Sequence, residues 1–131
     1  MNTKLIMTSS ALMMTLIGIS LIFLPNVILN YIGLSSTKLA PIFLQLLGAT
    51  YFAFAMLNWM AKGNLIGGIY NRPIAVGNFT HFFIGALVLI KIVFANQEIF
   101  FLWIVNVVYL LFTLSFGLVL FKHPLKTDNG K

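Results

Sequence analysis

Four runs of about twenty apolar residues dominate this chain: 5–24, 41–61, 73–94 and 99–121. Lys91 is the only Asp, Glu, Lys or Arg inside them. At about 1.5 Å rise per residue, each run as a helix spans about 30 Å, the hydrocarbon thickness of a bilayer. The predicted fold is therefore all-α: a polytopic four-helix transmembrane bundle in one domain covering 1–131. Short connectors leave no chain for a second domain. Only 8% of the residues are charged and 60% are hydrophobic. A water-soluble domain carries about 25% charged residues, so lipid must act as the solvent.

The net charge of +6 does not point to nucleic acid. Basic residues stand singly at span ends, where they anchor to lipid headgroups, and form no stripe interleaved with aromatics. Their distribution sets an orientation. Lys4, Lys62, Arg72, Lys122, Lys126 and Lys131 fall on one side; Lys38 and Lys91 fall on the other. Six against two in short loops predicts both termini in the cytoplasm. Tyr31, Tyr51, Trp59, Tyr70 and Trp103 are read as an aromatic belt. The first run resembles a signal peptide, but bulky residues follow it (Ser20–Pro25, SLIFLP), so it is read as an uncleaved helix.

The connectors carry turn chemistry. Residues 27–34 (VILNYIGL) are apolar but too short to span, and read as a partial interfacial helix. Residues 35–38 (SSTK) offer an N-cap before Pro41, and Pro73 again suits a first helical turn. Gly63 is a candidate C-cap. Asn96–Glu98 reads as a tight outer turn, and 122–131 as a polar tail.

Polar side chains inside a bilayer are costly unless they face protein or water, so their helical phase marks the inward face. Thr8, Ala11, Thr15 and Gly18 share a face of the first span. Gln45, Gly48, Ala49, Phe52 and Trp59 share one on the second, with Asn58 on a different face. Ile74, Asn78, His81 and Gly85 line up on the third, and Asn106, Tyr109, Thr113 and Gly117 on the fourth. Depth along each span places His81, Thr113, Tyr109 and Thr15 in one layer. It pairs Gln45 with Asn106 and gathers Asn58, Asn71 and Arg72 at the cytoplasmic mouth. The Phe residues are read as lipid contact.

His81 has the only side chain deep in a span with a reference pKa near neutrality. It reads either as a ligand-binding or proton-handling group, or as a neutral imidazole bonding helices through Thr113, Tyr109 or Asn78. Arg72 reads as a headgroup anchor or as an anion-capturing group. The candidate binding residues are thus His81, Asn78, Tyr109, Thr113, Asn106, Gln45, Thr15 and Arg72.

Several chemistries are excluded. No carboxylate lies within a span, since Glu98 and Asp128 fall outside them, so paired-carboxylate catalysis has no residues. There is no cysteine, so thiolate sites and disulfides are absent. His81 has no second buried histidine for bis-histidine haem, and no converging ligand set for a metal. No catalytic residue, metal or cofactor is implied, and an independent enzyme is not expected.

The layout, with the run LQLLGATYFAFAMLNW (44–59) and the opening YNRPIAVGNFTH (70–81), resembles the small uncharacterised bacterial four-helix membrane proteins of the DoxX-like families. That resemblance implies an accessory or unassigned role in a bacterial inner (plasma) membrane, and carries no functional residue over. The combined expectation is a non-enzymatic accessory or binding protein. It would hold a lipid, quinone or other amphipathic molecule, or a membrane-protein partner. The alternative is a small oligomeric transporter or channel.

Overall fold

The computed structural model describes residues 3–33, 37–64, 70–95 and 100–122. All regular structure among them is helical. The elements are α1 (Thr3–Phe23), α2 (Pro25–Tyr31), α3 (Ala40–Ala61), α4 (Arg72–Ala95) and α5 (Phe100–Lys122). All but α2 are long and apolar enough to cross a membrane. Each long helix falls within two residues of its expected bounds. The turn at 96–98 and the tail from 123 lie outside the described residues.

The breaks follow from local chemistry. The Leu24 amide still donates to the Ser20 carbonyl at 2.9 Å. Pro25 has no amide hydrogen, so the first helix stops there and α2 starts on the proline. Gly33 then takes a left-handed φ of +73°, closing α2 in a conformation costly for any residue with a Cβ. The short apolar segment is thus a helix from Pro25 to Tyr31.

Pro41 sits in the first turn of α3 as expected, but the cap differs. Leu39 is the N-cap and offers no side-chain bond. Thr37 Oγ1 accepts from the Ala40 amide at 3.3 Å, a long bond; 35 and 36 lie outside the described residues. Lys62, still right-handed, ends α3, and Gly63 has no left-handed φ, so the glycine C-cap does not form. The Lys62 ammonium lies over the Trp59 ring instead, 2.8 Å from its centroid, one helical turn along. Tyr51 falls mid-way along α3 and not in an aromatic belt at its end. Asn71 precedes α4, and its carbonyl accepts from the amides of Ile74 and Ala75.

The chain divides into two compact units. One is Met7–Lys62. In it α1 and α3 meet backbone to backbone at Gly18 and Gly48. A Cβ on Gly18 would lie 2.9 Å from the Gly48 carbonyl oxygen; one on Gly48 would lie 2.8 Å from that of Gly18. The contact runs antiparallel, because Gln45 on α3 donates to the Ile22 carbonyl at 3.2 Å and Asn58 donates to Ser10 at 3.1 Å. With no hydrophobic driving force between helices in lipid, such close approach supplies the van der Waals contact that holds them.

The other unit is Met1–Ile6 with Gly63–Lys131, built on α4 and α5. These pair antiparallel through aromatic rings. Phe79 meets Phe121 at one end, Phe82 stacks on Phe112 and Phe116 in the middle, and Phe94 meets Trp103 at the other end. Phe82 and Phe116 are fully buried, so the reading of phenylalanine as lipid contact fails here: these rings are the packing core of the pair. The other faces are apolar and exposed, with Leu16, Leu46, Leu114 and Phe121 all more than 60% accessible. Such faces suit a lipid solvent. The four long helices make this a small multi-pass membrane protein by length and composition.

Candidate functional site

The buried face of α5 is Asn106, Tyr109, Thr113, Phe116 and Val119, at three- and four-residue steps. That matches the expected stripe except that Phe116 replaces Gly117 as its most buried point. On α4 the buried positions are Ala75, Asn78, Phe82, Ala86 and Val93. This stripe is rotated by about one residue from the expected Ile74, Asn78, His81 and Gly85. His81 and Gly85 therefore flank the core and are half-buried.

The expected meeting of His81 and Tyr109 is present. Their ring centroids are 5.9 Å apart, and both rings pack edge-on against Phe82. Gly85 makes this geometry fit. A Cβ there would overlap Cε1 and Cδ1 of Tyr109, so the phenol ring lies directly on the α4 backbone. A glycine is required at that position by the close approach, and not by an unusual dihedral.

Thr113 is buried in the same stripe, but its hydroxyl donates to the Tyr109 carbonyl at 2.8 Å. Thr15, in the other unit, likewise donates to the Ala11 carbonyl at 2.8 Å. Serine and threonine satisfy themselves against the preceding turn in this way, so in an apolar medium they need no partner from another helix. Asn78 donates to the Ile74 carbonyl at 2.9 Å. Arg72 is exposed at the first residue of α4.

Two of the expected polar residues have partners within their own unit. Gln45, expected opposite Asn106, is an exposed residue held to Ile22 within its own unit. Asn58, expected at the mouth with Asn71 and Arg72, is fully buried. It donates to Ser10 Oγ at 3.1 Å and lies 3.8 Å from Met14 Sδ. Ser10, which sequence reasoning passed over, completes the pair by donating to the Met7 carbonyl at 3.0 Å. Its signal was depth: both residues lie toward the same ends of antiparallel helices.

Asn106 lies on the same buried face of α5 as Tyr109 and Thr113. It is only 5% exposed, and its Oδ1 is buried with no hydrogen-bond partner among the described residues. Trp103 lies one turn before it on α5 and Tyr109 one turn after. The first contacts Phe94, and the second lies on Gly85. The carbonyl acceptor is thus bracketed along the helix by two aromatic layers.

Comparison with protein-family models, with curated proteins and with solved structures finds no match for this chain. The class rests on the helices themselves.

Proposed function

We propose that this is a non-enzymatic accessory or binding protein that holds an amphipathic molecule, such as a lipid or quinone, against the partly polar face of α4 and α5. The observation that carries this reading is the Asn106 Oδ1. A buried acceptor left unsatisfied costs about 1–3 kcal/mol, and no water is at hand in a hydrocarbon core to supply a donor. A bound molecule with a polar head and an apolar body recovers that cost. The His81–Tyr109 ring pair and the aromatic layers supply the apolar wall.

The setting proposed, from the layout resemblance, is a bacterial inner (plasma) membrane; both termini in the cytoplasm are supported by six Lys and Arg on one side of the spans against two on the other.

Native mass spectrometry of the protein released gently from membranes tests the reading. A stoichiometric small molecule on the wild type, lost in Asn106→Leu or His81→Ala, is the expected result. A bare, defined oligomer overturns it and moves the function to an oligomeric transporter or channel.

A further inference from the structure

We infer that the molecule held at Asn106 presents a phenolic hydroxyl on an apolar tail; this rests on the binding function proposed above and specifies its ligand class. The first argument is the sign of the hydrogen bond. Asn106 Oδ1 is one of the buried side-chain atoms with no hydrogen-bond partner among the described residues; as a carbonyl oxygen it accepts and cannot donate. A ligand that completes it must bring an O–H or N–H. Headgroups that only accept, such as esters, ethers and oxidised quinone carbonyls, leave Oδ1 as it is.

The second argument is the surroundings. Trp103 and Tyr109 stand three residues to either side of Asn106, on one face of α5. Trp103 is backed by Phe94 at a centroid distance of 5.9 Å, edge to face. Tyr109 is backed by Phe82 at 5.3 Å and is fixed on the Gly85 backbone. The donor therefore arrives between aromatic layers, where a ring gains contact energy beyond its area and a linear alcohol does not.

The third argument is depth. Asn106 is six residues into α5, about 9 Å from its first residue along the axis. A ring hydroxyl reaches that depth only if the ring itself enters the apolar zone. A phenol tolerates this; a charged or zwitterionic headgroup, with its far larger desolvation cost, does not.

The test uses the full chain in detergent, titrated by native mass spectrometry with 4-octylphenol and with 4-octylanisole, its methyl ether. The pair share ring and tail and differ in the donor. Wild type is expected to bind the phenol about ten-fold more tightly than the ether, the ratio for one neutral hydrogen bond. Asn106→Leu is expected to bind both equally, and comparing each probe between proteins cancels its partition into micelles. Tyr109→Phe, which keeps the ring, is expected to retain the preference. Circular dichroism confirms that the variants are helical; should Asn106→Leu not fold, Asn106→Ala takes its place in the comparison. Equal binding of the two probes by wild type overturns the hydroxyl assignment while leaving amphipathic binding standing. So does a preference for the ether, or a preference that survives in Asn106→Leu. Binding of neither probe, with a bare protein from membranes, overturns both readings. Loss of a dimer in Asn106→Leu shows that a second copy supplies the donor, and overturns the ligand.

Discussion

The ring of Tyr109 rests on the backbone of Gly85, leaving no room for a Cβ between α5 and α4. Tyr109 is itself buried and packed against His81 and Phe82, so it has nowhere to retreat. Gly85→Ala is therefore expected to destabilise the α4–α5 pair by about 1–3 kcal/mol, the cost of overpacking a filled interface. Tyr109→Leu should lose ring contacts but tolerate the added methyl, so the double variant should cost less than the sum of the two single changes. Denaturant unfolding in mixed micelles measures this. Additive single effects would mean that the ring and the glycine do not meet.

The crossing of α1 and α3 makes a stricter demand. At Gly18 and Gly48 the nearest atom in the way is the other glycine's carbonyl oxygen, 2.8–2.9 Å from any added Cβ, and backbone cannot rotate aside. Gly18→Ala and Gly48→Ala should each cost about 1–3 kcal/mol through helix separation. Gly63 provides the control, since nothing lies within 4 Å of its added Cβ and its φ is not left-handed. Gly63→Ala should be neutral, or stabilising by about 0.4–1 kcal/mol through a less free unfolded chain. The same unfolding assay ranks the three, and a Gly63→Ala as damaging as Gly18→Ala would contradict the crossing.

Why the spans could be read more fully than the faces is a matter of solvent. Length and apolarity lie along the chain in one dimension, so α1, α3, α4 and α5 appear within two residues of where the sequence places them. Polar residues then serve poorly as a compass. Thr15 and Thr113 hydroxyls bond to the preceding turn, so nothing forces them to a helix–helix seam. Phe82, Phe116, Met7 and Met14 are the largest fully buried side chains, yet their chemistry is identical to that of side chains facing lipid. Where a residue had no local alternative the reading did better: the Tyr109 ring beside His81 was foreseen from phase and depth. The lone acceptor on Asn106 was not, because an absent partner leaves no trace in a sequence.

Asn58 and Ser10 should reveal an asymmetric dependence. The Ser10 hydroxyl donates to Met7 and accepts from Asn58. Ser10→Ala removes the 3.1 Å acceptor from a fully buried amide that also lies 3.8 Å from Met14 Sδ, whereas Asn58→Leu leaves the serine donor still satisfied by Met7. Losing one partner of a buried bond costs the desolvation of the other, about 1–3 kcal/mol, so Ser10→Ala is expected to be the more damaging change. A double-mutant cycle should give a coupling of about 0.6 kcal/mol and no more than about 1.7, the range for bonds between membrane helices. A coupling of zero would show that the bond is not formed.

The proposed orientation can be tested directly because the chain has no cysteine. Single cysteines at Thr37→Cys, before α3, and Asn64→Cys, after it, place one thiol at each end of that helix. Both positions are exposed. With Lys38 on the outer side and Lys62 on the inner, Thr37→Cys should react with a membrane-impermeant maleimide in right-side-out vesicles. Asn64→Cys should react only after permeabilisation. The reverse pattern would invert the topology. It would also mean that six basic residues had crossed the membrane against the potential, at about 2.3 kcal/mol per charge for each 100 mV. Reaction of both thiols in intact vesicles would remove the crossing of α3 itself, and with it the membrane-spanning reading of that helix.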